Sequence, residues 1–210
     1  MTPEQLALFI PAALLLAVAP GPDNLGVLAL GISRGRPASL GFALGCAAGC
    51  LNHTLLATLG VTALIAASPL AFRALQFLGA AYLLWIGWQA LRSKGASLAS
   101  LDARQGGDAG FGRYFTRGLV ANAINPKVAL FFLAFLPQFV RAEGWPPAAQ
   151  IGVLGSVFGL CAAFIFSATA LFAARIGTWL RARQALTVWL DRATGALFIG
   201  LGLRLALASR

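Results

Sequence analysis

The sequence predicts an all-α integral membrane protein, and three observations predict it: 59% of the residues are hydrophobic, only 10% are charged, and apolar stretches of bilayer-crossing length recur along the chain. An ordinary soluble domain is about 25% charged. A hydrocarbon core needs about 20 apolar residues of helix to cross it, and helix is the simplest way to satisfy the backbone there. Such stretches run from Leu6 to Ile32, Ala38 to Ala67, Phe72 to Leu91, Phe115 to Val140, Ile151 to Ala174 and Thr187 to Ala208. They predict six transmembrane helices in one membrane domain, 1–210, with little chain left over.

The first stretch opens with Met1-Thr2-Pro3-Glu4, without the basic start of a signal peptide, and is expected to stay in the mature protein. It is interrupted by Pro20-Gly21-Pro22-Asp23-Asn24. Proline lacks a backbone donor, so a helix reaching Ala19 is expected to stop and restart with Pro22 at its first position. The fourth stretch repeats the device at Asn125-Pro126-Lys127, with Asn125 as the cap and Pro126 as the first helical residue. The first and fourth spans are therefore expected to be broken.

Between and beyond the breaks the chain alternates packing faces and turns. Ser33-Arg34-Gly35-Arg36-Pro37 reads as a tight turn, and Gly41, Gly45 and Gly49 clear one face of the second span for a close neighbour. Asn52, His53 and Thr54 follow, then Ser68-Pro69 starts the third span, which ends in Trp85, Trp88 and Arg92 as interface anchors. A polar linker at about 93–112 separates two halves, about 1–92 and 113–210. Glu143-Gly144-Trp145-Pro146-Pro147 turns into the fifth span, which carries Gly155, Gly159 and Ala163.

The formal net charge is +10, but the cations are distributed by loop and not gathered on a nucleic-acid-binding face. Arg34, Arg36, Arg92, Lys94, Arg104, Arg113, Arg117, Arg175, Arg181, Arg183 and Arg192 fall in or beside odd-numbered loops, while the other side has Arg73, Arg141, Arg204 and Arg210. The positive-inside rule then makes the odd loops cytoplasmic and puts both termini outside. Cys46, Cys50 and Cys161 lie within spans and read as packing residues, short of a four-ligand zinc site; no metal and no cofactor is expected.

The halves resemble each other. Pro22 aligns with Pro126 at a shift of 104, Gly41-Gly45-Gly49 with Gly155-Gly159-Ala163 at 114, and Gly79-Ala80 with Gly195-Ala196 at 116. Three spans is an odd number, so the second copy must enter from the opposite face, giving an inverted three-plus-three repeat of the kind secondary transporters use. On this alignment Asp23 falls opposite Lys127, and an expensive intramembrane acid and base become natural partners.

Two half-helix N-termini would offer unpaired N–H groups and partial positive charge to an anionic substrate group. Lys127 would add a cation, and Asp23 would receive a substrate ammonium, so a zwitterion would satisfy both. Burial and neighbouring charge would act on Asp23 in opposite directions, which makes it a proton-coupling candidate. The bland reading, an ion pair locking two broken helices, stays open beside it. His53 reads as a hydrogen-bonded packing residue or a proton relay, Asn52 and Thr54 as interhelical hydrogen-bonding residues or ligands, and Asn122, near the second break, as a candidate secondary site residue. A cation or metal permease would want more acids or histidines, and an intramembrane enzyme a nucleophile with a base; a helix scaffold would need neither.

Pro20-Gly21-Pro22-Asp23, the Arg34-Gly35 turn with Gly41 and Gly45, Phe77-Leu78-Gly79-Ala80-Ala81-Tyr82-Leu83 followed by Gly87, and Asn125-Pro126-Lys127 with Phe131-Phe132 and Pro137-Gln138-Phe139 resemble the LysE/RhtB family over nearly the whole chain. The resemblance implies a multi-pass efflux permease of the bacterial inner membrane that exports amino acids or their derivatives. It further implies drive by the proton-motive force, contact with membrane lipids, homo-oligomeric assembly and no bound cofactor. It places functional weight on Pro20, Gly21, Pro22, Asp23, Asn125, Pro126 and Lys127, and less on Asn24, His53 and Asn122. Cargo is left open.

Overall fold

The computed structural model describes residues 1–61, 67–93, 110–181 and 184–207. Most of the linker expected at about 93–112 lies outside them. The described residues contain helix and turns and no strand.

Helix α1, Pro3–Val18, starts from a reciprocal cap: Gln5 N donates to Thr2 Oγ1 at 3.3 Å and Thr2 N donates to Gln5 Oε1 at 3.4 Å, with Pro3 at the first position. It stops because Pro20 has no N–H to continue the ladder. Helix α2, Pro22–Ser33, departs at 52° to α1. Gly35, at φ +81°, turns the chain into α3, Arg36–Leu56, which widens into a π-turn over Ala57–Val61. Helix α4, Pro69–Arg92, is capped by Ser68, whose hydroxyl accepts from Ala71 N at 3.2 Å.

In the second half α5, Phe111–Ala123, gives way at Ile124–Asn125 to α6, Pro126–Leu130, which continues through a π-turn, Phe131–Phe135, and a 3-10 turn, Leu136–Phe139. The bend between 111–123 and 126–139 is 50°. Helix α7, Pro147–Arg181, and helix α8, Gln184–Leu207, complete the chain. At 1.5 Å per residue the 35 residues of α7 reach about 52 Å, well beyond a hydrocarbon core of about 30 Å.

Among the described residues three helices are long and apolar enough to cross a membrane, and each bent pair counted as one span raises the number to five. The sixth expected span, α8, is absent from that set; Asp191, Arg192 and Arg204 lower its apolar character.

The bundle is assembled around α3 and α7. Helix α3 packs on α5, α7 and α2, and α7 also packs on α1 and α2, while α4 and α8 form a pair of their own. The α3–α5 contact is so close that a Cβ on Gly45 would sit 2.0 Å from Phe115 O and one on Gly118 2.1 Å from Phe42 O, so both positions require glycine. Gly155 and Gly159, which the alignment of halves matched to Gly41 and Gly45, face Thr54 and Cys50 of α3, whereas Gly41 and Gly45 face α5. The two glycine rows therefore serve different neighbours, because α7 divides its inner surface among three helices. The core is aromatic: Phe9, Phe131, Phe132, Phe135 and Phe158 are buried, with the Phe131 and Phe158 rings 4.8 Å apart.

Candidate functional site

The site grows from two helix interruptions that meet. Because α1 ends abruptly, its last carbonyls have no intrahelical donor. Lys127, in the first turn of α6, supplies one: its Nζ donates to Leu16 O at 3.1 Å and to Ala19 O at 2.8 Å, and lies 5.3 Å from the Phe198 ring centre. Asn24 adds its side-chain amide to Ala17 O and Ala19 O, with 3.1 Å for the second. A cation at a helix C-terminus is stabilised by the dipole as well as by the hydrogen bonds, an effect of up to about 2 kcal/mol when partly buried.

Gly21 allows this crossing. Its backbone is extended, which any residue adopts, but a Cβ there would lie 3.1 Å from Lys127 Nζ and 3.2 Å from Lys127 Cδ. Across the junction Asn125 caps α6 by accepting from Lys127 N at 3.1 Å, with Pro126 at the first helical position.

The expected Asp23–Lys127 ion pair is not formed. Among the described residues the only such pair is Arg141–Glu4, 3.6 Å, near the start of α1. Asp23 Oδ2 instead accepts from Asn122 Nδ2 at 2.7 Å. The reason is that the end of α1 presents two carbonyls to the lysine, a stronger local claim than alignment of the halves could reveal. Asn122 also links Asp23 to His53, whose Nε2 lies 2.8 Å from Asn122 O and whose ring stands 5.7 Å from Phe132. Asn52 takes no part; it is exposed on the outer face of α3.

Among the described residues, two of the cavities at this junction border Lys127. The inner one, about 10 Å³, is bounded by Asp23, Asn24, Asn122, Asn125, Lys127 and Phe158. That is roughly the least space one water needs. Three buried polar atoms here have no hydrogen-bond partner among the described residues: Asp23 Oδ1, Asn122 Oδ1 and Asn125 Nδ2. The outer cavity is about 620 Å³ and opens between the breaks and the α4–α8 pair. Pro20, Pro22 and Pro126 line it, and Gly21, Asn125 and Lys127 form the wall common to both.

The outer cavity adds residues outside the expected site, among them Trp85, expected only as an interface anchor. Tyr82, Trp85 and Gln89 come from α4, and Asp191, Thr194 and Phe198 from α8. Asp191 is buried and accepts from Ser93 Oγ at 2.5 Å. It lies inside the expected sixth span, Thr187 to Ala208, and the signal for it was an acid within an apolar stretch.

Residues 14–209 match the family described as LysE type translocator. The chain belongs to that family. Its relatives within curated proteins include an uncharacterized membrane protein of Pseudomonas aeruginosa, 33% identical over 96% of this chain and 94% of the relative. A homoserine/homoserine lactone efflux protein of Salmonella typhimurium is 31% identical over 99% and 98%, and a leucine efflux protein of Enterobacter sp. 30% identical over 94% and 93%. No solved structure matches. As a LysE type translocator, the chain has close to its relatives' full length, and the matched residues span both helix interruptions and α8.

Proposed function

We propose that this LysE type translocator is an export permease for amino acids or related zwitterionic metabolites in a bacterial inner membrane, driven by the proton-motive force. The observation that carries the reading is a buried lysine at the crossing of two broken helices, on the wall of a 620 Å³ cavity. An ammonium has three donors, and two of Lys127's go to Leu16 O and Ala19 O, which leaves one for a substrate carboxylate. Efflux relatives of homoserine and leucine support the cargo class.

The scaffold is read as one domain of six spans, with α1–α2 and α5–α6 as broken spans and the halves about 1–92 and 113–210 inverted. Packing of α4 on α8 supports the two-fold. A Cβ on Gly202 would lie 3.1 Å from Ala80 O, and one on Gly87 2.8 Å from Gly195 O. Exchanging the halves at a shift of 116 carries Ala80–Gly202 to within one residue of Gly195–Gly87. Loop charge puts both termini outside and the Ser93 end of the outer cavity toward the cytoplasm. At the opposite end Gln5 Nε2 donates to Phe139 O at 2.5 Å and to Gln150 Oε1 at 2.7 Å, closing α1 against the turn before α7. Cargo would thus enter from the cytoplasm.

Asp23 is the coupling group in this scheme. Its Oδ2 is held by Asn122, its Oδ1 is unpartnered, and Asn122 connects it to His53. Proton binding at Asp23 would change the field at Lys127, across the shared wall, and so the hold on a carboxylate. The test is efflux of labelled amino acids from proteoliposomes under an imposed pH gradient. Wild-type efflux should depend on the gradient and Asp23→Asn efflux should not; an Asp23→Asn protein with unaltered gradient dependence removes Asp23 from coupling.

A further inference from the structure

We propose that Asp191, not Asp23, receives the cationic end of the cargo, so that substrate and proton are handled by different carboxylates on two sides of one wall. The inference rests on the export reading above and assigns a subsite within it.

Asp23 borders the inner cavity and is absent from the lining of the outer one, while Asp191 borders the outer one and not the inner. The inner cavity, at about 10 Å³, is far too small for an amino acid; the outer, at about 620 Å³, falls in the size range of small-molecule sites. A substrate ammonium entering the outer cavity therefore meets Asp191 first and meets Asp23 only if the Gly21–Lys127–Asn125 wall opens.

The chemistry of Asp191 suits a cation. It is 5% exposed, and the only hydrogen bond it accepts among the described residues comes from a neutral hydroxyl, Ser93 Oγ, to Oδ2. No lysine or arginine among the described residues pairs with it. Its neighbour Thr194 spends its hydroxyl on Leu190 O at 2.8 Å. A carboxylate buried this far with no countercharge among the described residues is costly, and a cargo ammonium would offset the cost on binding. The cavity places Lys127 on one wall and Asp191 on another, with Tyr82 and Phe198 among the residues lining the same space. An α-amino acid would set its carboxylate toward Lys127, its ammonium toward Asp191, and its side chain against the rings.

Thermal stabilisation of the detergent-purified full chain, titrated with each proteinogenic amino acid and L-homoserine, finds the ligands that bind. For each ligand the N-acetyl derivative, which has no ammonium, is titrated beside it. Wild-type protein should prefer the free amine by about tenfold or more, the scale of a hydrogen bond to a charged group. Asp191→Asn should bring the two derivatives to near-equal affinity, Asp191→Glu should restore part of the preference, and Asp23→Asn should keep it. The unliganded melting curve shows that each variant is folded, and a merely structural role for the Ser93–Asp191 bond would shift that curve without changing the preference. Full preference in Asp191→Asn, or its loss in Asp23→Asn, overturns the assignment while leaving export intact. A wild-type protein stabilised by none of these ligands overturns the export reading together with it.

Discussion

Lys127 shows how a single residue can be fixed by what a neighbouring helix lacks. The amide missing at Pro20 frees carbonyls at the end of α1, and the lysine reaches Leu16 O and Ala19 O through the gap that Gly21 leaves. Gly21→Ala would place a methyl 3.1 Å from Nζ, so the side chain must shift away from the carbonyls. We expect that variant to fold and to export at least about tenfold more slowly, the effect of misplacing a group worth about 1.4 kcal/mol; initial efflux rates from proteoliposomes measure it. The position of Lys127 in the chain was legible, as was the polar character of Asp23, because intramembrane charges stand out in an apolar sequence. Their partners were not. Alignment of halves proposes which residues a two-fold would relate, but the orphan carbonyls of α1 and the amide of Asn122 decide where each charge is held, and those depend on the bend.

The elements themselves follow from backbone chemistry that proline, glycine and capping residues write locally. Val18, Pro22, Ala123 and Pro126 bound the interrupted helices, and each boundary sits beside a proline or an asparagine cap. Packing between elements is less local. Gly45 and Gly118 let α3 and α5 touch backbone to backbone, and Gly118→Val would drive a side chain into Phe42 O, 2.1 Å from its Cβ. That variant is expected to lose about 1–3 kcal/mol or to fail to accumulate, on the scale of overpacking, with the melting curve in detergent as the readout. At the other end Gln150 accepts from Gln5 Nε2 and Arg141 N and donates to Arg141 O and Trp145 O. Gln150→Ala leaves Gln5 with one acceptor fewer and should cost about 1–3 kcal/mol. In the export scheme it should also loosen closure of that end, read as faster labelling of a cysteine introduced at position 9 by a membrane-impermeant reagent added outside.

For the whole molecule, composition and the length of the apolar stretches convey the class: a chain with 10% charge and runs of bilayer-crossing length suits lipid as helix. What composition could not convey is the role of α8. Its Asp191, Arg192 and Arg204 weaken it as a span, yet Asp191, Thr194 and Phe198 make it one wall of the larger cavity. A helix that spends apolar residues on polar ones in this way is hard to recognise from hydropathy and easy to recognise once its partner α4 is in place. The decisive measurement at this scale is metabolite profiling of bacterial cells expressing the wild-type chain or Lys127→Met at matched membrane levels. At least one amino acid or derivative should fall inside the cells and rise outside with the wild-type chain, and neither change should occur with Lys127→Met. An unchanged profile for every such metabolite with the wild-type chain, or equal export by the variant, would contradict the account.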